Sequence, residues 1–144
     1  MTVAAILKHK GHQVTTVEPT VTIARVMEVL CEHRIGAVLV INESGQLLGI
    51  VSERDIVRCL VANGAGGLTM TAGQLMTKAL QIAHPGTTES EAMEMMTAGR
   101  FRHLPVMDHG DLVGLVSIGD VVKSLITQRE HEVESLVAYV AGSG

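Results

Sequence analysis

Most of this chain is one pattern written twice. VEPTVTIARVMEVLCEHRIGAVLVI, residues 17–41, aligns with AHPGTTESEAMEMMTAGRFRHLPVM, residues 83–107. Pro19 falls on Pro85, 66 residues later, and at that shift Thr22 meets Thr88, Met27 meets Met93, Arg34 meets Arg100 and Val40 meets Val106. One residue then drops out at a turn. Beyond it Gly49 meets Gly114, Ser52 meets Ser117 and Asp55 meets Asp120, 65 residues apart. Self-similarity at such a period governs the whole fold reading.

Each copy reads as strand, helix, strand, strand, helix. In the first, Val14 to Val17 is a short strand and Thr22 a helix N-cap. Ile23, Val26, Met27 and Leu30 recur at i, i+3, i+4, i+7, the apolar face of a helix. Glu89, Ala92, Met93 and Met96 hold those places in the second copy, where Thr88-Glu89-Ser90-Glu91 has the capping-box pattern. Ala37–Ile41 and Leu47–Val51 are strands about the turn residues Asn42-Glu43-Ser44-Gly45. Leu104–Met107 and Leu112–Val116 repeat them about Asp108-His109-Gly110-Asp111. Pro105 cannot donate to a ladder and suits an edge or a strand end. Asn63 to Gly67 reads as a flexible connector, followed by a short helix at 72–76. The tail from Val121 through Val140 reads as helical. Its Arg129-Glu130-His131-Glu132 is a solvated face rather than a metal site. The boundaries are 1–67 for an N-terminal segment and first copy, 68–128 for the short helix and second copy, and 129–144 for the tail.

Composition excludes several function classes. A chain of 144 residues buries enough surface for a core. Phe101 and Tyr139 are its only aromatic residues, so the core is Val, Ile, Leu, Met and Ala. A net charge of −4 and no aromatic platform disfavour nucleic-acid binding. Cys31 and Cys59 lie in apolar helical patterns and read as two buried free thiols in a reducing compartment, with a disulfide pair as the alternative. The order of MTVAAILKHKG is wrong for a secretory signal, and no apolar run reaches membrane-spanning length. A soluble cytoplasmic protein is expected.

The chemistry sits in GIVSERDIV and GLVSIGDVV, where a strand runs into Ser-x-x-Asp. Three readings compete. A serine N-cap with aspartate three residues on stabilises a helix start, by about 1 kcal/mol. A helix start also offers free N–H groups to phosphate, while a carboxylate can accept from both hydroxyls of a ribose. A catalytic reading lacks a general base: His103 is the candidate, but its counterpart is Ala37. No nucleophile elbow, zinc-binding His-Glu-x-x-His or phosphate loop is present. The matched pair of aspartates favours ligand binding over capping alone.

With these closing motifs, the doubled unit resembles a tandem pair of CBS domains, the Bateman module, over about Gly11 to Gln128. RFRHLPV and HRIGAVLV resemble the family's approach to its second strand. The resemblance implies an α+β fold of two β-α-β-β-α repeats related by pseudo-two-fold symmetry. It implies clefts between them for AMP, ADP, ATP, sometimes NAD(H) or S-adenosylmethionine, with no catalytic cofactor and no metal. It also implies a homodimer and a regulated partner protein.

Carried over by position, one cleft takes Ser117, Ile118, Gly119 and Asp120, flanked by Arg102 and His103, with Thr16, Ile35, Gly36 and Ala37 along the base. The other takes Ser52, Arg54 and Asp55, with Ile82, Phe101 and His103 opposite, and Lys78 reaching a phosphate. The copies differ: Arg54 stands against Gly119, Arg102 against Gly36 and Phe101 against Ile35. Two unequal sites are expected. The leading reading is a non-enzymatic nucleotide sensor that signals through conformation or partner association. A ligand-free dimerisation module and a nucleotide-acting enzyme are its rivals.

Overall fold

The computed structural model of the chain describes residues 1–78 and 81–143. In chain order it has α1 (Val3–Lys10), β1 (Thr16–Val17), α2 (Ile23–His33), β2 (Ala37–Ile41), β3 (Leu47–Ser52) and α3 (Glu53–Asn63). A 3-10 helix (Gly64–Thr69) and α4 (Ala72–Leu75) follow. Then come α5 (Glu89–Gly99), β4 (His103–Asp108), β5 (Asp111–Ser117) and α6 (Ile118–Ser143). These form two compact units, Gln13–Leu80 and Met1–His12 joined with Gln81–Gly144. The mixed α+β class and the order of strands and helices are those expected.

In the unit of residues 13–80 the strands run β1-β2-β3, parallel then antiparallel. Ala37 to Val40 are all buried, so both faces of β2 are covered and the strand is apolar throughout rather than alternating. α2 lays Ile23, Val26, Val29 and Leu30 into the core with Val38, Val40, Val51 and Ile56. It starts on Thr22, whose hydroxyl accepts from Arg25 N at 3.3 Å. It stops because Arg34 turns left-handed, at φ 53°, so that Ile35 N–H reaches Leu30 O at 3.1 Å. The matched Arg100 does the same at φ 55°, with Phe101 N–H on Met96 O at 3.2 Å.

The second unit has its own core of Val3, Ile6, Leu7, Ala92, Met96, Leu104, Val106, Val116 and Val121. Among the described residues its sheet is the β4–β5 hairpin, with an isolated parallel bridge at Ala83↔Val106 where β1 would recur. Pro105 is the cause. Its counterpart Leu39 donates to Thr15 O at 3.1 Å and ties β1 to β2; proline has no N–H to give. Its carbonyl still accepts from Ala83 N at 2.8 Å.

Each unit also holds a leader helix, and the chain supplies the two in exchanged order. α4 packs on the first copy through Ala72 N to Val21 O at 2.8 Å and Gly73 N to Pro19 O at 2.9 Å. α1 packs on the second through Val3 N to Thr87 O at 2.7 Å and Ala4 N to Pro85 O at 2.9 Å. Met1–His12, grouped by sequence with the first copy, thus folds with the second. The matched glycines make room: a Cβ on Gly49 would meet Thr77 O and Met76, and one on Gly114 would meet the Leu7 methyls.

Two expectations are corrected. Residues 63–67 are no flexible connector, because α3 runs through Asn63 and a 3-10 helix through Thr69 follows, with Gly67 buried on Cys59. Cys59 is buried, but Cys31 is exposed: one residue past Leu30, it turns to the solvent side of α2.

Candidate ligand-binding site

The candidate site in each unit is a strand-to-helix junction. β3 ends on Ser52 and β5 on Ser117, and each serine caps the next helix. Asp55 N–H donates to Ser52 Oγ at 3.3 Å, while Asp55 Oδ2 accepts from Ser52 N and Ser52 Oγ, both at 2.9 Å. Asp120 N–H donates to Ser117 Oγ at 3.1 Å, and Asp120 Oδ2 accepts from Ser117 N at 2.8 Å. The capping reading is therefore realised in both copies. Every hydrogen bond to these carboxylates among the described residues lands on Oδ2, so capping leaves Oδ1 available.

The segment before the second strand closes against this junction. Glu53 N–H donates to Gly36 O at 3.0 Å, and Ile118 N–H to Arg102 O at 2.8 Å. Ala37 pairs with Ser52 and His103 with Ser117 across the hairpins. One unit thus gathers Gly36, Ala37, Ser52 and Asp55, with exposed Arg54 on the first turn of α3; the other gathers Arg102, His103, Ser117, Ile118, Gly119 and Asp120. The first-turn N–H left over, on Arg54 and on Gly119, has no partner among the described residues. Thr16 pairs with Leu39 in β1, one strand away from the cap. Ile35 and Phe101 are half-buried against their own cores, the Phe101 ring lying over Gly99. Lys78 and Ile82 are exposed outside the strands and helices.

Lys10 is the residue that sequence reading missed. From the end of α1 its ammonium donates to Asp120 Oδ2 at 2.6 Å and to Leu115 O at 2.7 Å. Burial would raise the Asp120 carboxyl, but Lys10 and the Ser117 N–H outweigh it and hold the group below its ordinary value. Asp55 has no lysine against it among the described residues. The two carboxylates therefore differ in surroundings, an ammonium lying against Asp120. A depressed carboxyl adds stability above its unfolded pKa, lost as pH falls through the folded one. Lys10→Met should destabilise the protein at neutral pH, and the gap from the parent should narrow below about pH 4. Denaturant titrations across that range check it; a gap independent of pH contradicts it.

No helix among the described residues is long and apolar enough to cross a membrane. No group of three His, Cys, Asp or Glu side chains among them is placed to hold a metal.

Comparison with known proteins agrees with this architecture. The CBS domain family matches residues 5–62 and 72–127. CBSX3, a mitochondrial CBS domain-containing protein of Arabidopsis thaliana, is 32% identical over 151 residues, covering 98% of this chain and 72% of that protein. The crystal structure of the CBS-domain containing protein ATU1752 from Agrobacterium tumefaciens superposes with a TM-score of 0.85 at 43% identity, covering 86% of this chain and 98% of that one. The CBS domain pair of protein MJ0100, solved with 5′-methylthioadenosine and S-adenosyl-L-methionine, shares the fold with a TM-score of 0.79 at 23% identity, over 89% and 98% of the chains.

Proposed function

The chain belongs to the CBS-domain family, as a tandem pair, and we propose that it is a non-enzymatic regulatory sensor of adenine ribonucleotides. AMP, ADP, ATP, NAD(H) and S-adenosylmethionine are the candidate ligands. The observation that carries the reading is the twice-repeated carboxylate with one oxygen spent on its cap and the other left over. In the proposal, Oδ1 of Asp55 and of Asp120 accepts from ribose hydroxyls. The spare N–H of Arg54 or Gly119 meets phosphate, favoured by the positive helix end. Arg54 adds a guanidinium fork at one site; Arg102 does so at the other. The adenosine ligands held by the CBS pair of MJ0100 are of the proposed class.

A sensor responds only where its ligand prefers one of two conformations. Any ligand bound to the folded state raises the melting temperature, by an amount set by its concentration over Kd. Melting curves with each candidate should therefore shift upward in a dose-dependent way for at least one of them. No shift with any, at millimolar ligand, would reject the reading.

A second reading has one observation behind it. Ile126, Val133, Leu136 and Val140 are exposed on α6 at heptad spacing, which suits a self-association module. That reading predicts a dimer in sedimentation and no response to nucleotide.

A further inference from the structure

Glu89 is a buried carboxylate where the other copy has a core isoleucine. Its counterpart Ile23 is fully buried, and Glu89 is only 2% exposed. The neighbours differ in the same sense. Cys59 and Met70, whose sulfurs are 3.6 Å apart, have Ser124 and Met1 in their places. Ser124 Oγ lies 3.1 Å from Met1 Sδ and donates to Glu89 Oε1 at 3.1 Å. The Met1 ammonium is 3.7 Å from the same oxygen. Glu89 Oε2 is buried with no partner among the described residues. In the first copy the 3-10 helix folds over Cys59 and Leu60 and closes the space. In the second, α6 runs straight on to Ser143, and a cavity of about 460 Å³ remains, lined by Met1, Glu89, Leu125, Arg129, Glu132 and Val133 among others.

An apolar residue works at this position in the sister copy, so the fold does not require the acid. A carboxylate oxygen buried without a donor is costly and calls for a donor from outside. Arg129, Glu132 and Val133 share one face of α6 at i, i+3, i+4, and they bring both signs of charge beside apolar surface. The volume falls in the range of small-molecule sites.

We propose that this cavity is a second binding site, for a small zwitterion of the amino-acid type. On binding, its ammonium turns the Glu89 carboxylate toward the cavity and donates to it with Glu132 nearby, its carboxylate meets Arg129, and its short apolar chain lies against Leu125 and Val133. The site is separate from the Ser-x-x-Asp junctions and does not depend on the nucleotide reading.

Amide proton–nitrogen spectra of the full chain test it with three probes of one carbon skeleton: L-leucine, isopentylamine and isocaproic acid. Leucine should give saturable shifts at Glu89, Ser90, Arg129 and Val133. The amine should bind about fivefold more weakly, and the acid should give no saturable shift. Arg129→Met, at an exposed position, should bring leucine down to the amine and leave the amine unchanged. Glu89→Ile should fold with an equal or higher melting temperature, since it installs the sister copy's residue, and lose at least about tenfold in leucine affinity. Glu89→Gln keeps the shape and should lose as much. No saturable shift with leucine, an amine as tight as leucine, a bound acid, or undiminished affinity in Glu89→Gln would each overturn the proposal.

Discussion

Gly49→Ala is expected to destabilise the protein by about 2–3 kcal/mol, while Gly114→Ala costs about 1 kcal/mol. The two glycines are matched in the repeat, and both lie under a leader segment. The difference is what a methyl would strike. On Gly49 it would come within 2.7 Å of Thr77 O and 2.8 Å of Met76. Thr77 is tied to the strand by bonds in both directions with Ile50, at 2.9 and 3.1 Å, so its carbonyl cannot withdraw without breaking the pairing. On Gly114 it would meet the Leu7 methyls at 2.7 Å, a buried side chain that can shift at some packing cost but is not a carbonyl held in a ladder. Urea midpoints with unchanged m-values are the measurement. Equal losses at the two positions would contradict this account of leader packing.

The second large effect is on ligand binding. Asp55→Ala combined with Asp120→Ala should weaken the preferred adenine ribonucleotide at least tenfold, from about 1.5–3 kcal/mol per charge-assisted hydrogen bond lost. The same change removes two capping acceptors, so the melting temperature should fall too. A weaker fold alone could lower apparent affinity, and the 2′-deoxy analogue separates the causes. In the parent the ribonucleotide should bind more tightly than its deoxy analogue. In the double variant that difference should close, because the acceptor for the missing hydroxyl is gone. Calorimetric titration of both nucleotides against both proteins gives the comparison. A ribo-over-deoxy preference that survives in the variant assigns the sugar to other residues.

The repeat was legible because its punctuation is chemical. Pro19 and Pro85, Thr22 and Thr88, and the Gly and Ser-x-x-Asp positions each fix a turn or a cap, so they recur even where the core residues between them change. The hairpin strands followed from apolar runs bounded by turn residues. What the strand pattern did not show is that Pro105, by lacking one N–H, would cost the second copy its first strand. The exchange of leader helices was harder, since it rests on contacts far apart in sequence. A signal existed: Met1-Thr2 and Met70-Thr71 begin the leaders. Thr2 and Thr71 cap α1 and α4 through Ala5 N and Gln74 N at 3.4 and 3.2 Å. Read as part of the repeat, that dipeptide would have moved the start of each copy.

The cap geometry at the junctions was legible down to the residue, because Ser-x-x-Asp is local. Lys10 was not, because nothing in KHKG says that its third residue lies against Asp120. Glu89 was placed on the apolar face of α5 by its register with Ile23, and its burial follows from that register alone. The register is silent on the cavity, which depends on α6 running on straight where α3 gives way to the 3-10 helix.

The central claim is that the spare oxygen of a capping aspartate holds a ribose. A crystal structure of the protein with its tightest-binding adenine ribonucleotide addresses it directly. The account predicts ribose hydroxyls within hydrogen-bond distance of Oδ1 on Asp55 or Asp120, with the Oδ2 cap intact. A nucleotide bound with its sugar remote from both carboxylates would contradict it.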